Sequence, residues 1–224
     1  MSETDGVGPG LLGGVLQPSG SGVAFLKTSA SAVVAELLRI HGRSCDVSEV
    51  NTFPASISAL DPMEAPWTVE LVIACGEWTA YLNNAIGGTD LSACAPAVAR
   101  ALNVDLVTAQ HAPMHGPGHA ATQLWLQGPT GKPPLMSIRT LSAHCQDGRW
   151  SWHESGDVQP FEEPTRYGER RIRDRLDREL LVAYLERIGI HVDDSAFFGP
   201  GVAIRQIVDW SIRSEPVEVW SAEN

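Results

Sequence analysis

Three neighbouring stretches decide the fold: ATQLWLQ at residues 121–127, LMSIRTLSAH at 135–144 and RWSWHE at 149–154. In each of them, large apolar side chains alternate with polar or small ones, as in a β-strand that buries one of its faces. The connecting segments GPTGKPP and QDG consist mainly of residues that favour tight turns. The sequence therefore predicts three consecutive antiparallel strands, a meander over about residues 121–154.

Further strands and helices are predicted on both sides of this meander. TVELVIAC at 68–75 and WTAYLNN at 78–84 flank a two-residue turn at Gly76-Glu77, which is the pattern of a β-hairpin. Single strands are expected at residues 22–28, 104–110 and 202–213, and helices at 32–41, about 90–102 and 167–188. Runs of strands with helices between the runs indicate an α+β fold, a mainly antiparallel sheet packed by two to four helices.

The predicted helix at 167–188 contains the arginine-rich stretch GERRIRDRLDRELL. Its basic and acidic residues balance, which favours a surface helix with ion pairs over a helix that binds nucleic acid. Asp177 can cap a second helical segment within it. Glu162 and Glu163 precede the helix, where negative charges complement a helix N-terminus.

The chain has 224 residues, of which 43% are hydrophobic and 19% charged, as in an ordinary globular domain. We expect a single domain at 23–213, a flexible glycine-rich tail at 1–22 and a short C-terminal tail at 214–224. No apolar run approaches the roughly 20 residues that span a bilayer, and the first residues carry acids instead of the basic start of a secretion signal. A soluble, cytoplasmic protein is the expectation.

The spacing of the four cysteines is consistent with a cytoplasmic protein. Cys45, Cys75, Cys94 and Cys145 are widely spaced, without a CxxC pair that would indicate zinc or redox chemistry. Cys75 and Cys94 stand among apolar neighbours and are interpreted as small core residues. Free thiols are therefore predicted.

The charge balance limits the partners. Lys and Arg total 16 and Asp and Glu total 27, which gives a formal net charge of −11. A negative field of this size repels nucleic acid and anionic membrane surfaces and attracts basic molecules. We therefore expect a protein partner, for which a basic protein fits the charge, and neither nucleic acid nor membrane. The alternative is that the charge only keeps the protein in solution.

Three histidines form the most metal-like pattern. His111, His115 and His119 are spaced four apart, which on a helix would align them on one face. Proline and glycine between them rule out that helix, so they are predicted to lie in a loop. Two interpretations stay open: a polar loop, or a metal or ligand site made by the loop.

Other catalytic patterns are absent or out of context. GPGLLG at 8–13 matches a dinucleotide-binding pattern by letter, but no strand precedes it to present the loop. No GxSxG motif for a nucleophilic serine occurs. The sequence predicts no cofactor and no catalytic residue.

The tryptophans are candidate partner-binding residues. Trp125 lies between two leucines on its strand, so it points to the sheet face opposite to them, and Trp150 and Trp152 share a face on their own strand. Exposed tryptophans often anchor protein interfaces. The alternative is that the helix at 167–188 covers them and that they belong to the core.

Three phrases carry a resemblance to a known group of proteins: GEWTAYLNN at 76–84, GRWSW at 148–152 and QPFEEPTRYGERRIRDRL at 159–176. Over about residues 22–200 the chain resembles a group of uncharacterised bacterial proteins of similar length from high-GC genomes. The resemblance implies packing and turn patterns and assigns no functional residue.

Two hypotheses of function follow. The first is a cytosolic protein-binding protein, of the immunity or inhibitor type, that neutralises a basic toxin or effector. It fits the acidic charge and the lack of catalytic motifs. The second is a small enzyme or ligand- or metal-binding domain with its site at the loop of His111, His115 and His119.

Overall fold

The computed structural model of the chain describes residues 10–14, 19–42, 44–92, 94–115 and 118–207. Within these ranges the protein has nine β-strands and three α-helices, together with short segments of 3₁₀ helix. The strands are β1 (Gly22–Leu26), β2 (Cys45–Val50), β3 (Val69–Cys75), β4 (Trp78–Asn83), β5 (Leu106–His115), β6 (His119–Lys132), β7 (Ser137–Gln146), β8 (Arg149–Gly156) and β9 (Gly201–Gln206). The helices are α1 (Ala30–His41), α2 (Cys94–Leu102) and α3 (Arg178–Arg187).

All nine strands form one sheet in the order β2-β9-β3-β4-β1-β5-β6-β7-β8, and every neighbouring pair is antiparallel. The predicted meander is confirmed as β6, β7 and β8, and the predicted hairpin as β3 and β4. The α+β class is confirmed with them, although the sheet is larger than the meander. In the described part of the chain, no helix combines the length and apolar character needed to cross a membrane.

The two faces of the sheet pack against different parts of the chain. Val33 of α1 and Val98 of α2 pack with Tyr81 of β4, and we call this side the α1/α2 face. Leu181 of α3 packs on the other side, in a core that includes Leu71 of β3, and we call it the α3 face. The central strands are buried on both faces, which explains why β3 and β4 consist of almost continuous apolar residues.

Helix α1 has clear signals at both ends. The Ser29 hydroxyl accepts a hydrogen bond from the Ala32 backbone N–H and so caps the N-terminus. At the other end Gly42 adopts the left-handed backbone conformation, with φ of 54°, and its N–H donates to the Leu38 carbonyl. These caps place His41, the last helical residue, at the edge of the α1/α2 core.

The prediction of a helix at 167–188 is wrong for the first half of that segment. Residues Pro164–Gly168 and Ile172–Asp174 form separate 3₁₀ turns, and the continuous helix begins only after Asp177. The predicted cap at Asp177 is confirmed, since its carboxylate accepts from the Leu180 N–H. The physical reason is the spacing of the apolar residues. Tyr167 and Ile172 are five residues apart, which places them about 140° apart around a helix, yet both pack against the sheet.

The described residues 10–14, within the segment expected to be a flexible tail, include two side chains that pack against the core. Leu11 and Leu12 are buried in the core of the α3 face, and the Leu11 N–H donates to the Gly20 carbonyl at 2.9 Å. The Arg178 guanidinium binds the Gly10 carbonyl at the same distance. Two adjacent leucines have enough apolar surface to hold a glycine-rich segment against the core.

Two further differences concern strands. Strand β5 runs to His115 and pairs with β6, so the segment expected to be a histidine-containing loop is mostly strand, with register shifts near its end. Strand β2 was not predicted, because its alternating residues are mostly polar and exposed. The expected strand beyond residue 207 and the expected tail at 214–224 lie outside the described residues.

Candidate functional site

The three predicted tryptophans lie on two different faces of the sheet. Trp125 is opposite Thr108 on β5 and points to the α1/α2 side. Trp150 and Trp152 point to the α3 face, where the Trp152 ring packs against Tyr167 with ring centroids 5.3 Å apart. The three residues therefore form no common surface, and only Trp125 stands outside the α3 core.

Trp125 belongs to a part of the α1/α2 side that the helices do not cover. Helices α1 and α2 pack over the central strands, and α2 reaches as far as β6. Beyond it, side chains of β6, β7 and β8 form two rows across the sheet, which we call the open face. The first row is Trp125, Thr140 and Ser155, and the second is Gln123, Ser142 and His153.

The open face is polar and carries no carboxylate, lysine or arginine in these two rows. Ser155 and His153 are exposed, and the Gln123 amide donates to the Ser142 hydroxyl at 2.8 Å. Acidic residues stand instead at the ends of the strands, where Asp105, Asp147 and Asp157 are exposed. The two rows thus form an uncharged centre, with these acids and the exposed Arg149 at the strand ends.

A pocket of about 350 Å³ lies beside Trp125, between α2 and the sheet. Its walls include the apolar Leu91, Pro96 and Leu135, of which Leu135 is 65% exposed, and the polar Ser92, Arg100, Thr108 and Gln127. We call it the Trp125 pocket. Its mainly apolar lining suits a large apolar side chain of a binding partner.

A second candidate lies under the helices, where polar side chains are buried on the α1/α2 face. Glu70 of β3 is fully buried. His41, at the end of α1, places its Nε2 atom 2.6 Å from one Glu70 oxygen, and the Tyr81 hydroxyl donates to the other at 2.7 Å. Cys94, the first residue of α2, completes what we call the His41 cluster.

The geometry of the His41 cluster brings three kinds of donor atom together. The imidazole nitrogen of His41, a carboxylate oxygen of Glu70 and the Cys94 sulfur all lie within 4.8 Å of one another. Asn83 supports the cluster from β4, since its amide donates to the Tyr81 hydroxyl at 3.2 Å and to the Asp90 carbonyl at 3.1 Å.

Two groups of the cluster, the Cys94 thiol and the Tyr81 hydroxyl, have pKa values raised by burial. Burial raises the pKa of the Cys94 thiol to about 12, and the charge of Glu70 acts in the same direction. Burial also raises the pKa of Tyr81 well above its usual value, again with Glu70 adding to the effect. A thiol held protonated in this way is a poor nucleophile, because the thiolate is the reactive form.

A third polar cluster lies on the α3 face and holds the chain that follows β8. Arg139 is 2% exposed, and its guanidinium donates to both carboxylate oxygens of Glu162 at 2.9–3.2 Å. Glu162 also accepts from the Tyr167 hydroxyl and the Gln159 N–H. The prediction that Glu162 complements a helix N-terminus is therefore wrong, and its role here is to compensate a buried charge.

Of the predicted histidines, His111 and His119 lie on strands and have described side-chain contacts. His111 faces the α3 side, where its Nδ1 lies 2.9 Å from the Thr122 hydroxyl. Burial and the nearby Arg178 charge lower the pKa of His111 to about 4. The His119 Nε2 lies 3.8 Å from an Asp147 carboxylate oxygen. His115 pairs with His119 through the main chain, and its side chain is outside the described part of the structure.

Comparison with known protein families, curated proteins and solved structures gave no match. The resemblance to a group of bacterial proteins remains a prediction.

One signal in the sequence could have revealed the His41 cluster. In VELVIAC, the apolar residues continue on both faces of the strand, which indicates burial on both sides. Glu70 is the exception in that run, and a buried carboxylate requires a partner. The partners themselves, His41 and Cys94, are far away in sequence and only the fold brings them together.

Proposed function

We propose that the chain is a cytoplasmic protein-binding protein of the inhibitor type, which docks its partner on the open face and anchors it in the Trp125 pocket. The observation that carries the proposal is a polar, uncharged sheet surface that ends at an apolar pocket beside Trp125. Such a surface matches the general anatomy of protein interfaces, which have few charges at the centre and a polar rim.

The charges at the strand ends define the partner. Asp105, Asp147 and Asp157 stand at the strand ends, Arg100 lines the pocket, and the whole chain carries a net charge of −11. A partner that fits has an apolar side chain for the pocket and basic residues around it. Opposite charges at a rim mainly raise the association rate and select the partner, whereas the buried anchor supplies most of the affinity.

Photo-crosslinking from defined positions identifies the partner and tests the surface together. A photoreactive residue is introduced at Ser151, next to the open face on β8, or at Glu179 on α3 as a control, since both positions are exposed. The proposal expects one protein to be crosslinked from Ser151 in cells and not from Glu179. Equal crosslinking from both positions would contradict it.

The affinity of the purified partner then tests the anchor. Trp125→Ala should weaken binding by about 30-fold, the equivalent of ~2 kcal/mol for a true anchor. The association rate of the parent chain with its partner should fall as salt is raised. Leu135→Ser should also weaken binding, while Val47→Ser is the matched control, because Val47 is an exposed apolar residue on β2 at the far edge of the sheet. Unchanged affinity in Trp125→Ala, with an unchanged melting temperature, refutes the anchor.

A further inference from the structure

We propose that His41, Glu70 and Cys94 bind a zinc ion, through the His41 Nε2 atom, a carboxylate oxygen of Glu70 and the Cys94 sulfur. This site is separate from the histidines that the sequence singled out, and it does not depend on the proposed docking surface. It lies under the helices, where α1, β3 and α2 meet.

The geometry is that of three ligands held by three rigid elements. Their donor atoms lie within 4.8 Å of one another, although the residues are spread over more than 50 positions of the chain. Tetrahedral zinc with bonds of about 2.0–2.1 Å to nitrogen and oxygen holds these ligand atoms roughly 3.3 Å apart. The His41 nitrogen and the Glu70 oxygen are now 2.6 Å apart, so the ion enters if they separate by somewhat less than 1 Å.

The charge of the site favours a divalent cation. Zinc bound by one carboxylate, one thiolate and one neutral imidazole is electrically neutral, which suits a fully buried Glu70. Zinc binding releases the Cys94 proton to solvent, because a thiol that coordinates zinc is deprotonated.

The kinds of ligand select zinc among common cations. A mixed set of nitrogen, oxygen and sulfur suits zinc, whereas magnesium and calcium require mainly oxygen ligands. Three protein ligands leave a fourth position for a water molecule. Tyr81 donates to the other Glu70 oxygen and is held in turn by Asn83, which orients the carboxylate as outer partners commonly do at metal sites.

The experiment measures metal in the full-length chain. The protein is incubated with zinc chloride and separated from unbound zinc by gel filtration. Its zinc content is then measured by elemental mass spectrometry. We expect about one zinc per chain, and a melting temperature that falls when a chelator removes it. Cobalt in place of zinc should give the near-ultraviolet charge-transfer band of a thiolate–cobalt bond, which reports the Cys94 ligand without any substitution.

Variants distinguish this site from others. Cys94→Ser and His41→Gln should lower zinc affinity by about 100-fold or more, since even outer partners of metal ligands cost 10–100-fold. Cys75→Ser is the matched control, a buried cysteine outside the cluster, and should retain zinc and the cobalt band. Circular dichroism confirms that each variant is folded.

The opposite results overturn the proposal. A parent chain without retained zinc and without the cobalt band shows that the His41 cluster is only a hydrogen-bonded ion pair. Zinc that is retained by folded Cys94→Ser but lost from His115→Ala assigns the metal to the β5–β6 hairpin instead. Neither result bears on the docking surface, because that proposal is tested by crosslinking and partner affinity.

Discussion

Replacing Arg139 by methionine tests how the chain after β8 is held on the sheet. Arg139 is 2% exposed, and it compensates the Glu162 carboxylate, whose side chain is fully buried. In Arg139→Met that carboxylate keeps the hydrogen bonds from Tyr167 and Gln159 but loses its positive partner. An uncompensated buried charge costs about 3–5 kcal/mol, which for a domain of this size lowers the melting temperature by roughly 6–20 °C.

Equilibrium unfolding in guanidinium chloride, followed by circular dichroism, measures the free energy of unfolding for each variant. Arg149→Met is the matched control, because Arg149 is an exposed arginine on the edge strand β8, and surface substitutions of this kind change stability by about 0.5 kcal/mol or less. Glu162→Met should cost less than Arg139→Met, since Arg139 then keeps its ion pair with Glu154 at 2.8 Å.

The double variant, Arg139→Met with Glu162→Met, separates charge from packing. Removing both charges together should restore much of the stability lost in Arg139→Met, since apolar replacements of buried ion pairs are often neutral or stabilising. A loss in Arg139→Met of under about 1 kcal/mol, or a double variant whose loss equals the sum of the two single losses, would refute the reasoning.

Three further outcomes are expected. Asp177→Ala removes the hydrogen bond to the Leu180 N–H and should lower the free energy of unfolding by about 1 kcal/mol in denaturant titrations, as for other helix N-caps; no change would show that the cap is not needed. Leu11→Ala removes a fully buried side chain and should cost about 2–5 kcal/mol in the same assay, whereas a flexible segment would show no loss. The pKa of His111 is lowered to about 4 by burial and the Arg178 charge, so the unfolded chain takes up a proton first and the contribution of His111 to stability, present above about pH 6.5, is lost as the pH falls towards 4. His111→Gln should therefore show a smaller loss of stability between pH 7 and pH 4.5 than the parent, and equal losses would refute it.

The strands that could be predicted are those whose residue pattern indicates which side chains are buried and where the strand ends. Strands β6, β7 and β8 alternate apolar and polar residues, and the hairpin of β3 and β4 carries a clear turn signal, so both patterns could be interpreted locally. Strand β2 gave no such signal, because it is a polar edge strand whose structure depends on its pairing with β9.

The prediction of one helix at 167–188 was wrong for the opposite reason. Its charged residues and leucines fit the helical period well enough to suggest one continuous helix, yet the sheet beneath it required Tyr167 and Ile172 on the same side. Packing against another element overrode the local pattern, as it often does where intrinsic preference is weak. The cap at Asp177 could be recognised, because capping depends only on neighbouring residues.

Candidate sites were harder to predict than the strands. The sequence pointed to three histidines that are close along the chain, but His111 lies within β5 with its Nδ1 against Thr122, and His119 begins β6, so no single helix or loop presents them. His41, Glu70 and Cys94 meet only because α1, β3 and α2 pack together. A pattern search along the chain cannot detect a set of residues that the fold alone brings together.

Strand β2 is synthesised long before β9, the strand with which it pairs. Strand β2 has β9 as its partner and lies at the end of the sheet, and residues 51–200 separate the two. At synthesis rates of roughly 5–20 residues per second, β2 waits about 8–30 s before its partner exists. During that interval it exposes unpaired backbone groups beside Val47 and Val50. Asp46 and Glu49 stand within the same strand, and charges on an unpaired strand oppose its association with other chains.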